Sequence, residues 1–333
     1  MFEAIRFVTA LVVIFGVPPK PKTVAKRTPS PSVTTVKADD ARIAVADPVA
    51  WQAALDRAGF SPGVIDGRLA KKTTIALGAF QRANGLPTTG RPDDATRRAL
   101  GMDQSPSTTA YTISTDDERL VGPWPKTWHE KAKAKLLGYH SLSALVAERG
   151  HCSRDLLQRL NRKLNLDRIK AGDSLLIPNV ASPSATSRAA SIEIDFTDKI
   201  VYLLDKQKSV VGLYHCSIAK DKSKRPSGAC RVKVVKENPE YLFDPAKWPE
   251  VKNVKRKLLI PPGPRCPVGL CWIGLSLDGY GIHGTPEPEL IGKTGSHGCF
   301  RLTNWDAVEL GKRIRVGTPV RFVERSALLA QRM

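Results

Sequence analysis

The stretch GYGIHGTPEPELIGKTGSHGCFRLTNWDAVEL, residues 279–310, decides the reading of this chain. It holds the densest cluster of reactive side chains, His283, His297 and Cys299, set among glycines. A cysteine thiolate is a strong nucleophile, but a free thiol is only a few per cent ionised at neutral pH. A histidine beside it takes the proton and later returns it to a leaving amine. Gly298 lets the backbone turn tightly, so that N–H groups near Cys299 face a developing oxyanion. Arg301, two residues past the cysteine, suits a bidentate pair with a substrate carboxylate. Two other readings compete: a buried structural cysteine with satisfied core histidines, and a zinc site on His283, His297 and Cys299. For zinc, the chain offers neither HExxH nor CxxC.

Outward from this stretch, the period is two. Ile192, Ile194 and Phe196 alternate, as do Ile200, Tyr202 and Leu204. After a turn at 205–208 come VVGLYHCSI, Arg231 to Val235, Leu270 to Leu275, Tyr280 to His283 and Pro319 to Val323. Such runs between turn residues predict a mainly β domain over 191–324. One helix interrupts it. Thr303 with Asp306 three later forms a capping pattern, Ala307, Leu310 and Ile314 give the buried stripe, and Lys312, Arg313 and Arg315 suit its C-terminal end.

These residues resemble the catalytic domain of the L,D-transpeptidases, the YkuD-like fold. The matching positions are Ile282-His283-Gly284-Thr285-Pro286, Ile291-Gly292, and Ser296-His297-Gly298-Cys299-Phe300-Arg301, with Pro226-Ser227-Gly228, Asn238-Pro239 and IPPGP upstream. Arg265-Cys266 departs from the family's usual Asn-Asn or Asp-Asn, and Cys230 stands where an aromatic residue is common. The resemblance implies a YkuD-like β-sandwich with a short helix. It makes Cys299 the nucleophile and His283 the general base, oriented by the Gly284 carbonyl. It gives His297 and Gly298 the oxyanion pocket, and Arg301, Ser296 and Tyr280 the substrate. The implied reaction is acyl transfer from a peptidoglycan stem tetrapeptide, releasing D-Ala. The acceptor stays open: a neighbouring stem (a 3→3 cross-link), water, or a lipoprotein amine. A non-catalytic wall-binding protein is the competing class. No cofactor or metal is implied.

Residues 47–102 read as a compact helical unit. Asp47 is an N-cap with Pro48 at the first helical position, and Trp51, Leu55 and Ala58 recur at helical spacing. A Gly-rich loop follows at 60–67, then a second helix with Ile75, Ala76, Ala79 and Phe80, and a third from Asp93 or Asp94 to Leu100. WQAALDRAGF, Val64-Ile65-Asp66-Gly67, AFQRANGLPTTG and ATRRAL resemble the three-helix peptidoglycan-binding domain. Residues 110–180 open with Tyr111-Thr112-Ile113, carry a short helix from Asp155, and close with Ile169 to Pro178. That order resembles a small α+β LysM module, with excess length between Trp124 and His151. Residues 181–190 read as a linker. Joined in this way, the helical unit is expected to be removable with little effect on turnover.

The 333 residues are 41% hydrophobic and 25% charged, which suits several folded domains and excludes a chain disordered throughout. Fifty-two Lys and Arg against 32 acids give a net charge of +20, fit for a polyanionic partner such as nucleic acid, an anionic membrane or an acidic wall polymer. Nucleic-acid motifs are absent, so none is expected as partner. The expected partners are peptidoglycan stem peptides and glycan strands, approached as a monomer. Phe7 to Val17 is an apolar run of 11 residues, short for a spanning helix and fit for a signal core. Residues 1–17 are therefore expected to be a signal peptide or short membrane anchor, and 18–46 a Pro/Lys-rich linker. The protein is then exported, to the periplasm or cell envelope. In that compartment, Cys266 and Cys271, with four residues between them that include Pro267 and Gly269, are candidates for a disulfide.

Overall fold

The structure, a computed structural model, describes residues 47–180, 188–248, 250–296 and 298–324. The segments 1–17 and 18–46, most of the 181–190 linker, and His297 lie outside the described residues.

Local chemistry sets the first helices. In α1 (Pro48–Arg57) the Asp47 carboxylate accepts from Val49 N and Ala50 N, with Pro48 where no N–H is needed. Helix α2 (Lys71–Ala83) follows, and α3 (Asp94–Ala99) starts where Asp93 accepts from Thr96 N at 2.8 Å. Two buried glutamines fasten the loops between them. Gln52 accepts from Asp66 N and Gly67 N and donates to the Arg68 carbonyl, which fixes the Asp66–Arg68 turn. Gln81 holds Gly90 N, the Arg91 carbonyl and Thr96 in the same way.

The intervening module pairs β1 (Thr108–Thr112) with a late strand. Between them lie α4 (Thr115–Arg119), α5 (Trp128–Lys133), α6 (Leu142–Arg149) and α7 (Arg154–Leu160), and β2 (Ser174–Pro178) closes the pair antiparallel, Thr108 opposite Pro178. The excess length read from the sequence is α5, α6 and the segment joining them. It is not a surface excursion: Leu137 is buried with Phe243, Ile260 and Cys266, and Leu137 N donates to the Pro262 carbonyl at 2.9 Å.

The remaining strands are β3 (Ser191–Asp195), β4 (Ile200–Leu204), β5 (Val210–His215), β6 (Ala229–Glu237), β7 (Tyr241–Phe243), β8 (Leu258–Ile260), β9 (Cys271–Leu275), β10 (Gly281–His283) and β11 (Phe300–Arg301); then come α8 (Asn304–Arg313) and β12 (Pro319–Val323). The mainly β domain is present as one eight-stranded mixed sheet, ordered β11-β10-β9-β6-β12-β3-β4-β5. Strands β12 and β3 are parallel, as are β10 and β11, and the other neighbours are antiparallel. Strands β7 and β8 form a separate hairpin. Ala307, Leu310 and Ile314 of the α8 region bury against Ile273, Ile282 and Phe300. Thr303 caps α8 at Asp306 N, 3.1 Å.

Three expectations change. Ala189 N donates to the Arg313 carbonyl and Ala190 N to the Leu204 carbonyl, so the end of the expected linker already belongs to the catalytic domain. Arg313 does not sit as a solvated helix-end charge. It is buried, with its guanidinium on the Val211 carbonyl (2.6 Å) and the Tyr214 hydroxyl (3.4 Å). The helical unit is also not a separable bead. Strand β5 ends the sheet, and its open edge is covered by residues 59–61: Leu213 N donates to the Gly59 carbonyl and Ser61 N to the Leu213 carbonyl. Trp51, Phe60 and Phe80 share one core cluster with Ile200 and Leu213. Removing 47–102 therefore uncovers a core face. Truncation is expected to unfold the catalytic domain or make it aggregate, and Phe60→Ala to cost about 3–5 kcal/mol by denaturant midpoint. A truncated chain with native circular dichroism and an unchanged midpoint would contradict this packing.

Candidate active site

Strand β10 lies between β9 and β11 and brings the two halves of the 279–310 stretch together. Its parallel register with β11 sets Ile282 opposite Phe300 and His283 opposite Arg301. Alternation then puts Ile282 and Phe300 into the core and His283, Arg301 and Cys299 on the other face. Cys299 enters β11 one strand away from His283 and two residues back. Strands are about 4.8 Å apart and rise about 3.3 Å per residue, a gap that a thiol and an imidazole span together.

His283 is buried, and its Nδ1 lies 2.7 Å from the Gly284 carbonyl. A carbonyl only accepts, so Nδ1 carries the proton and Nε2 is left with its lone pair. The Trp272 ring stacks on the imidazole at 5.6 Å. Gly281 makes room for that indole: a Cβ there would lie 2.4 Å from the Trp272 ring. Burial pulls His283 down to about 4, the Gly284 carbonyl opposing and the Arg301 charge adding to the fall. The ring is therefore a neutral imidazole at neutral pH.

The Cys299 thiol is half-buried, donates to the Gly279 carbonyl at 3.7 Å, and is held by the Gly281 N–H. Burial raises its pKa, while the Gly281 N–H and the charges of Lys247 and Arg301 oppose the rise. The raised thiol and the lowered imidazole rest as a neutral pair, and among the described residues no hydrogen bond joins Cys299 to His283. Catalytic contacts that are open before substrate arrives are common. The β7–β8 hairpin packs beside this site: Tyr241 shares a core cluster with Trp272, and its hydroxyl, raised in pKa by burial, accepts from Trp248 Nε1 at 3.1 Å.

The other sequence-predicted residues surround this pair, several with their polar atoms already engaged. The Ser296 hydroxyl donates to the Cys299 carbonyl at 2.5 Å and accepts from Gly298 N at 3.3 Å, which closes the turn before the cysteine. The Tyr280 hydroxyl donates to the Lys224 carbonyl at 3.0 Å. Arg301 Nη2 donates to the Thr294 carbonyl and hydroxyl and to the Gly295 carbonyl, and among the described residues its buried Nε–H has no partner. These three side chains thus shape the loop walls. His297, assigned to the oxyanion pocket and to the zinc alternative, lies outside the described residues. Sequence reading missed Trp272, Tyr241, Lys247 and Asn304, which no spacing rule links to the cysteine.

All six cysteines are free thiols. The expected Cys266–Cys271 bridge is absent, because the turn sends the two into different cores. Cys266 packs with Phe243 and Ile260 and donates to the Pro239 carbonyl at 3.6 Å. Cys271 packs under α8, against Gly311. Alkylation in denaturant without reductant is expected to add six groups; a count of four would restore a bridge.

The chain's relatives point the same way. Residues 189–322 match the family model described as "L,D-transpeptidase catalytic domain" (YkuD), and residues 46–100 match one described as "Putative peptidoglycan binding domain". The chain is 29% identical over 168 residues to the Bacillus licheniformis protein named "Putative L,D-transpeptidase YkuD", covering 50% of this chain and 85% of that one. It is 35% identical over 129 residues to the Bacillus subtilis "Putative L,D-transpeptidase YqjB", covering 37% of this chain and 65% of that one. A crystal structure of the L,D-transpeptidase from Xylanimonas cellulosilytica overlaps at TM-score 0.33 and 16% identity, over 83% of this chain and 92% of that one, and carries no weight in the assignment. The chain thus carries an L,D-transpeptidase catalytic domain (YkuD) over residues 189–322, with a peptidoglycan-binding domain ahead of it over residues 46–100.

Proposed function

We propose that Cys299 attacks the stem tetrapeptide of peptidoglycan at the carbonyl joining its dibasic third residue to D-Ala. The observation that carries this is the His283 ring, pinned through Nδ1 to the Gly284 carbonyl and so offering Nε2 on the face that carries Cys299. As sulfur bonds to the carbonyl carbon, its proton passes to Nε2. The C–N bond then breaks, the imidazolium returns the proton to the departing D-Ala amine, and a thioester remains. The Gly284 carbonyl faces the transient imidazolium and takes the place of an acidic triad member. In the second half, an amine attacks the thioester, His283 removes its proton, the C–S bond breaks and the thiol is restored. A neighbouring stem as acceptor gives a 3→3 cross-link. Water gives carboxypeptidase activity, and a lipoprotein amine gives wall anchoring.

The peptidoglycan-binding domain makes peptidoglycan a partner and suits a cell-wall or envelope location. Among the described residues no helix is long and apolar enough to cross a membrane. The expected signal or anchor at 1–17 supports export. The β1–β2 pair with α6 and α7 between its strands supports a LysM-like reading of the module. The experiment is incubation of the full chain with disaccharide-tetrapeptide and mass analysis of the products. Cross-linked dimer with loss of D-Ala supports transpeptidation, and tripeptide alone supports the carboxypeptidase. Unchanged substrate favours the non-catalytic wall binder.

A further inference from the structure

The imidazole of His283 is only as well placed as the Gly284 carbonyl that holds it, and the Gly284 backbone packs closely against a side chain outside the sequence motif. Asn304, fully buried at the start of α8, presses its amide between two glycines. A Cβ at Gly269 would lie 2.1 Å from Asn304 Oδ1, and one at Gly284 would lie 2.4 Å from the same atom. Asn304 Oδ1 accepts from Leu270 N at 3.2 Å, one residue ahead of β9. The other side of the amide faces acceptors: Asn304 Nδ2 donates to the Pro264 carbonyl at 3.0 Å and to Glu148 Oε2 at 3.1 Å. Glu148 does not belong to the catalytic domain. It sits on α6 of the intervening module, 156 residues away in sequence, and its Oε1 also accepts from the Tyr139 hydroxyl at 2.7 Å.

With a carboxylate on one side and an N–H on the other, the Asn304 amide has one satisfied orientation. We infer that Glu148 is a positioning residue for His283, acting through Asn304 and the Gly284 backbone, so that the module completes the catalytic site rather than only carrying it. The inference rests on His283 being the base. It deepens that reading: a residue contributed by the module tunes the rate of acyl transfer. Removing the carboxylate lets the amide turn or drift and relaxes the Gly284 carbonyl. A misplacement of about 1 Å in such a group costs up to roughly 10²-fold in rate.

The test measures kcat and KM for D-Ala release from disaccharide-tetrapeptide by the full chain, with thermal melts to confirm folding at the assay temperature. Glu148→Ala is expected to lower kcat about 10- to 100-fold with KM changed less than about twofold. Glu148→Gln keeps an acceptor oxygen for Asn304 and is expected to recover most of that loss. Ser61→Ala removes another contact onto α8, the Ser61–Asp306 bond, which does not lead to Gly284, and is expected to leave kcat unchanged. If Glu148→Ala is unfolded, the pair is probed by exchange. Asn304→Asp sets two carboxyl groups face to face and lowers kcat, and adding Glu148→Gln restores a donor–acceptor pair and raises it again. The inference is overturned if folded Glu148→Ala keeps its kcat, if Ser61→Ala slows turnover equally, or if the double variant is no faster than Asn304→Asp. Cys299→Ala serves as the separate control: turnover surviving in that variant sinks the catalytic reading itself.

Discussion

Cys299→Ala is expected to abolish D-Ala release, by at least about 10⁴-fold, while the chain stays folded. The size follows from the chemistry. Without the sulfur there is no thioester, and direct attack by water or an amine on an amide has no activated nucleophile at this site. The small effect on folding follows from the environment. Cys299 is half-buried, and its side chain donates one long hydrogen bond to the Gly279 carbonyl. Losing it costs no more than about 1 kcal/mol. Steady-state release of D-Ala together with a thermal melt checks both parts. Turnover near the parent rate in a folded Cys299→Ala protein would mean that Cys299 is not the nucleophile.

His283→Gln is expected to lower the rate of acylation by about 10²–10⁴-fold, the usual share of a general base. Glutamine keeps a donor for the Gly284 carbonyl, so the loss reports on the missing base more than on a collapsed site. The pH profile adds a second reading. Burial lowers His283 to about 4, so the neutral base persists well into acid, and kcat/KM is expected to show no acid limb between pH 8 and about 5. A limb near 6.5 would mean a solvated imidazole and contradict the packing against Trp272. The same depression bears on stability. The unfolded chain binds a proton near pH 6.5, while the native ring does so only near 4. Stability from this group is therefore full above about pH 6.5, falls between 6.5 and 4, and is lost below. For a shift of that size the loss is about 3 kcal/mol. His215, buried and lowered to about 3, titrates with the same sign.

What the sequence made legible was local. Asp47, Asp93 and Thr303 cap helices because the carboxylate or hydroxyl meets an N–H two or three residues on, a distance any reader of spacing can see. The strands of the sheet follow from period two, and the motif around Cys299 follows from its glycines and histidines. What stayed illegible was long-range. Glu193 and Asp195 occupy the alternate positions of β3, yet the strand is buried on both faces: Glu193 accepts from Arg321 of β12, and Asp195 accepts from Thr197 N in the turn that follows. The β7–β8 hairpin pairs two three-residue strands across a Lys-rich span, too short and too far apart for periodicity to register. Arg313 reads as a helix-end charge until Val211 and Tyr214 are brought to it from β5. Ser296, Tyr280 and Arg301 have the right chemistry for substrate, but the folded loop uses much of it for its own closure. Glu148 gave no signal at all, since its partner Asn304 is supplied by a different domain.

Trapping the acyl-enzyme tests the central claim most directly. The full chain is mixed with disaccharide-tetrapeptide, quenched in acid, and read by intact mass and peptide mapping. The account predicts an adduct equal to the donor less D-Ala, on the peptide containing Cys299, formed slowly in His283→Gln and not at all in Cys299→Ala. An adduct on Cys216, Cys230 or another cysteine, or D-Ala release with no adduct in a protein lacking Cys299, would contradict it.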